Sequence, residues 1–80
     1  MLFKPVTTEK AVRMLDLDNT IVFEVPRSSR KEEIKPSVEK LFSIKVDKIR
    51  TTVRNNVKYA YVKLNKSNKA ADLATKLGVI

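Results

Sequence analysis

The stretch Val46-Asp47-Lys48-Ile49-Arg50-Thr51-Thr52-Val53-Arg54-Asn55-Asn56-Val57-Lys58-Tyr59-Ala60-Tyr61-Val62-Lys63-Leu64-Asn65-Lys66 decides the fold, because its side chains alternate with a period of two. Ile49, Thr51 and Val53 fall on one side of an extended chain, and Lys48, Arg50, Thr52 and Arg54 fall on the other. Asn55 and Asn56 form a doublet that tolerates positive φ, and after it Ala60, Val62 and Leu64 point one way while Tyr59, Tyr61 and Lys63 point the other. The pattern is that of a β-hairpin. Its faces, if aligned, put Lys48, Arg50, Arg54, Lys63, Tyr59 and Tyr61 together with no carboxylate of the hairpin among them. Ile44 and Val46 are out of phase with Ile49, so the regular strand starts after Val46 or carries a bulge.

The hairpin also holds most of the chain's charge. Residues 43 to 69 contain eight cations against one carboxylate, Asp47, which leaves a net +7 out of the chain's +8. Charge this localised implies a polyanionic partner meeting one face of a folded domain, since an evenly basic surface would only raise solubility.

Working outward, Thr8 to Leu15 reads as a short helix with Thr7 or Thr8 as its N-cap and Ala11, Val12 and Leu15 on one face. Asp16 to Asn19 ends it. Thr20 to Val25 alternates as a strand, with Ile21, Phe23 and Val25 toward a core and Thr20, Val22 and Glu24 away from it. Pro26 closes that strand, and Ser29 with Glu32 has the spacing of a capping box. A second helix follows, with the stripe Ile34, Val38, Leu41 and Phe42; Pro36 lies inside it, and the stripe continues in phase across the proline, which implies one kinked helix. Asn68 is in place to cap a third helix bearing Ala70, Leu73, Ala74 and Leu77, and Gly78, the chain's single glycine, stands where a left-handed C-terminal cap belongs. Leu2 to Val6 is a possible extra short strand.

Eighty residues make one small α+β domain with no room for a second core or a deep catalytic cleft. Without cysteine or histidine there are no disulfides, no thiolate or imidazole chemistry and none of the usual zinc ligands. Glu32 and Glu33 fit the positive end of a helix dipole, Asp16 and Asp18 are too few for a metal, and a lone C-terminal glycine builds no phosphate loop. The expectation is a soluble, cytoplasmic protein that is not an enzyme, with no cofactor, no membrane insertion and no small-molecule substrate.

Nucleic-acid binding suits the residues better. Cations opposed across a hairpin repel, so a face that concentrates them is more stable with phosphates nearby. Tyr59 and Tyr61 could stack on unpaired bases or pack beneath the third helix, and edge-strand lysines could serve only to prevent aggregation. Arg27, Arg30 and Lys31 form a second small cluster, which Glu32 and Glu33 offset into a solvated face. An RNA-recognition motif needs a glycine in a central strand, and none is present.

Four blocks of the chain resemble the family of universal large-subunit ribosomal protein twenty-three. They are Pro5-Val6-Thr7-Thr8-Glu9-Lys10-Ala11; Asn19 with Phe23 and Val25; Glu33-Ile34-Lys35, Val38-Glu39, Leu41-Phe42 and Lys45-Val46; and Lys58, Ala60-Tyr61-Val62, Ala74 and Lys76-Leu77-Gly78-Val79-Ile80. The resemblance implies a four-stranded antiparallel sheet of order 1-2-4-3, three long strands plus the short N-terminal one, packed with three helices. It also implies contact with large-subunit ribosomal RNA near the polypeptide exit tunnel, a neighbouring ribosomal protein of the twenty-nine family, and docking of the signal recognition particle and nascent-chain factors. Only Arg54 to Val57 stand where bacterial members have a long loop, so the short form resembles an archaeal member. Carried over by position, Thr8, Glu9, Lys10, Thr51 and Lys58 are RNA-contact candidates. With the face of the hairpin and its turn, the full candidate set adds Arg13, Lys48, Arg50, Thr52, Arg54, Asn55, Asn56, Tyr59, Tyr61 and Lys63.

Overall fold

Both residues of the hairpin turn lie at positive φ, Asn55 at 53° and Asn56 at 64°, as a two-residue type I′ turn requires. Arg54 pairs with Val57 directly across it. A β-branched residue resists that conformation by about 1–2 kcal/mol, so Asn56→Val should lower stability by that amount in urea denaturation while Asn56→Gly should not.

The computed structural model describes residues 4–78. Along the chain come β1 (Lys4–Pro5), α1 (Glu9–Leu17), β2 (Thr20–Val25), α2 (Lys31–Phe42), β3 (Val46–Arg54), β4 (Val57–Leu64) and α3 (Ala70–Leu77). The four strands form one antiparallel sheet in the order β1-β2-β4-β3, as the resemblance implied. Leu2 and Phe3 of the expected first strand, and Val79 and Ile80 of the last block, lie outside the described residues. The bulge falls between Val46 and Lys48. It turns Val46 into the core, where it is 5% exposed, and the Glu39 carboxylate fixes the bend by accepting from the Val46 N–H at 3.0 Å.

The core lies on one face of the sheet. Ile21, Phe23 and Val25 of β2 and Ala60, Val62 and Leu64 of β4 meet Ile34 and Val38 of α2 and Ala70, Leu73 and Ala74 of α3. Phe23 stacks on Phe42, with ring centroids 5.7 Å apart and planes 5° from parallel. The apolar stripe of α2 is narrower than its sequence spacing suggests. Leu41 is 60% exposed, because it and Phe42 flank Val38 on opposite sides and the core takes the Phe42 side. Pro36 is accommodated inside one continuous helix, as its in-phase stripe implied.

Two caps differ from the sequence reading. The Ser29–Glu32 capping box does not form: Ser29 is buried in a turn whose N–H bonds to the Pro26 carbonyl, and α2 starts after Arg30, whose own carbonyl receives Glu33 and Ile34. Nor does Asn68 cap α3. Its Oδ1 accepts from the Lys45 N–H at 3.0 Å, and the donor at the start of α3, Ala70 N–H, is taken by Asn19 Oδ1 at 2.7 Å. Asn19 is 51 residues away, too far for any local spacing rule to find.

The first helix runs two residues longer than expected, to Leu17, with the Thr8 hydroxyl accepting from the Ala11 N–H at 3.2 Å as its cap. It packs on β2 and α3. Among the described residues no helix is long and apolar enough to cross a membrane.

Candidate nucleic-acid interface

The face of the sheet turned away from α2 and α3 is built by register. Three rows cross it: Thr52, Tyr59, Glu24 and Lys4; Arg50, Tyr61 and Val22; Lys48, Lys63 and Thr20. Both tyrosines therefore stand away from α3 and next to the hairpin's cations. Lys48 lies directly opposite Lys63, a like-charge pair that costs a few tenths to about 1 kcal/mol until an anion approaches. Arg50 eases its own charge differently, with its guanidinium carbon 5.6 Å from the centre of the Tyr61 ring in a cation–π contact.

Helix α1 rims this face. Lys10 and Met14 are one turn apart and line shallow depressions with Tyr61, Arg50 and Arg54. Thr8 and Ala11 join them around Tyr59 and Val22. Val22 is 5% exposed although it points away from the main core, since α1 and the tyrosines cover it. The structure thus brings Thr8 and Lys10 to the same surface as Lys48, Arg50, Thr52, Arg54, Tyr59, Tyr61 and Lys63.

Other candidates lie elsewhere. Glu9 and Arg13 are exposed on α1 and line none of these depressions. Asn55 and Asn56 form the exposed hairpin tip, where Arg27 donates to Asn56 Oδ1 at 3.2 Å. Lys58 pairs with Val25, which places it on the helix side of the sheet; Thr51 pairs with Ala60 and shares that parity, yet it also borders the depression lined by Lys10, Arg50, Arg54 and Tyr61. The Lys58 ammonium donates to the Ser29 carbonyl and so ties the Pro26–Arg30 loop to β4.

The +7 segment is therefore divided by the fold. Lys45, Lys66 and Lys69 stand outside the hairpin face, near the bulge and the turn into α3. Asp47, the segment's one carboxylate, is held at the bulge by Asn65 Nδ2 at 2.9 Å. Glu24 enters the face from β2, together with Val22 and Thr20. The alternation of Thr20, Val22 and Glu24 was visible in the sequence and the resemblance implied that β2 lies beside β4, but the register between the two strands was not legible. Met14 on α1 gave no sequence signal at all. Among the described residues no group of three or more carboxylates gathers to hold a metal.

The family model described as ribosomal protein L23 matches residues 1–58 of the chain. The large ribosomal subunit protein uL23 of Methanothermobacter thermautotrophicus is 40% identical over 80 residues, covering 99% of this chain and 93% of the relative. That of Pyrobaculum aerophilum is 42% identical over 81 residues, covering all of both. Both are archaeal, and neither is named for a catalysed reaction.

Proposed function

The chain belongs to the ribosomal protein L23 family, and on that premise we propose that it is a structural constituent of the large ribosomal subunit in the cytoplasm, binding large-subunit ribosomal RNA as a single domain. The observation that carries the reading is the register that aligns Lys48, Arg50, Arg54 and Lys63 on the face away from α2 and α3, with Lys10 of α1 at its rim. Its role is to neutralise phosphates and hold an RNA fold; no reaction is catalysed. The place of this work is beside the polypeptide exit tunnel, next to a ribosomal protein of the twenty-nine family. The two-residue hairpin turn gives it little reach into a tunnel.

Five cations on one surface set the expected electrolyte effect. About five phosphate contacts give a log–log slope of affinity against salt near −3.5 to −4.5. Titration of a large-subunit RNA fragment at several salt concentrations measures it, and a flat dependence would overturn the electrostatic account.

Docking of the signal recognition particle and nascent-chain factors is supported by exposed apolar side chains on two separate helices. Leu17 at the end of α1 is 77% exposed and Leu41 on α2 is 60% exposed. Both lie off the hairpin face, so RNA and a protein factor can occupy the domain together.

A further inference from the structure

The depression between α1 and the two tyrosines has a composition that phosphate neutralisation alone does not need. It is lined by the buried Val22 and Ala11, 5% and 6% exposed, by Tyr59 and Tyr61, and by the cations Lys10 and Arg54. It is a shallow recess of about 130 Å³, open to solvent on one side, below the roughly 300–1,000 Å³ of sites that enclose a whole small ligand. A surface meant only for backbone phosphates would present cations on a polar ground. Here an apolar, aromatic recess is set among them.

The spacing of the tyrosines favours a flat ligand. Tyr59 and Tyr61 leave the same strand two residues apart, which separates their bases by about 6.6–6.8 Å. That backbone spacing is twice the roughly 3.4 Å between stacked bases, which leaves room along the strand for one planar ring to lie against Tyr61. Arg50 is seated over Tyr61, and it holds that ring in place from the neighbouring strand. Lys10 and Arg54 are positioned to hold the phosphates on either side of a nucleotide entering the recess.

We propose that this recess receives a single nucleobase unstacked from the RNA, such as a one-nucleotide bulge, with Tyr61 as the principal stacking residue. The proposal rests on the RNA-binding reading above and goes further by naming the structural feature recognised. It makes the face a reader of RNA shape: a continuous duplex offers phosphates but nothing to fill the recess. Base–aromatic stacking predicts a preference of roughly 5- to 150-fold for the bulged form.

The test uses the whole protein with two short RNA stems, one fully paired and one carrying a single bulged 2-aminopurine. The expected result is tighter binding of the bulged stem, with 2-aminopurine fluorescence quenched on binding. Tyr61→Leu should abolish both the preference and the quench, and Tyr61→Phe should retain them. Equal affinities of the native protein for the two stems, without quenching, would overturn the recess and leave RNA binding standing. Failure to bind either stem at low salt would overturn both readings.

Discussion

Replacing Asn19 by alanine is expected to destabilise the domain by about 2–4 kcal/mol, lowering Tm by roughly 10–30 °C. The magnitude follows from what one side chain does. Its Oδ1 accepts the Ala70 N–H that opens α3, and its Nδ2 lies 2.8 Å from the Asn68 carbonyl and 3.3 Å from that of Leu64. Loss of a helix cap alone costs about 1 kcal/mol. The part-buried carbonyls left without their donor add to that, and so does alanine at φ 49°. For 80 residues, total stability is about 4–12 kcal/mol, so the change removes a large fraction of it. Asn68→Ala provides the contrast: its bond to Lys45 is exposed, and the expected cost is under about 1 kcal/mol. Equal losses in thermal denaturation would mean that Asn19 is not the tie between β2 and α3.

Reversing the charge of Arg50 and Arg54 together should weaken binding to a large-subunit RNA fragment by about 1,000-fold at moderate salt, since two charge-assisted contacts are lost and two repulsions are gained. The informative control is Lys66→Glu with Lys69→Glu. It changes net charge by the same amount within the same basic segment, but in the turn before α3 rather than on the hairpin face. Less than about a tenfold loss is expected there. Equal losses would show that net charge matters and the face does not. No loss in either pair would favour a protein-docking module whose basic face only maintains solubility. Both substitutions fall on exposed side chains, so near-wild-type denaturation profiles should accompany them.

Placement explains why Lys58 cannot be grouped with Arg50 and Arg54 on charge alone. All three are cations of one hairpin, yet Lys58 shares the parity of Ala60 and Val62, and its ammonium is engaged by the Ser29 carbonyl. The same parity rule moves Thr51 to the helix side. A contact by Lys58 would have to come from the hairpin's end or its other face, a different approach from that of Arg50 and Tyr61, whereas Thr51 also borders the depression it shares with those two residues.

What the sequence by itself determined was local. Period-two alternation divides Val46 to Leu64 into an apolar and a cationic side because neighbouring side chains on a strand must point oppositely. Asn55-Asn56 specifies the turn because few other residues accept positive φ twice in succession. The element order followed from such rules, and the family blocks supplied the strand order. Only the tertiary structure decided the rest. The register of β2 on β4 sets Glu24 beside Tyr59 and Val22 beside Tyr61 on the cationic face, and α1 folds Lys10 and Met14 against it. Asn19, rather than the nearby Asn68, satisfies the start of α3. Each of these depends on which of several equally patterned surfaces meet, and that is fixed by burial across distant parts of the chain.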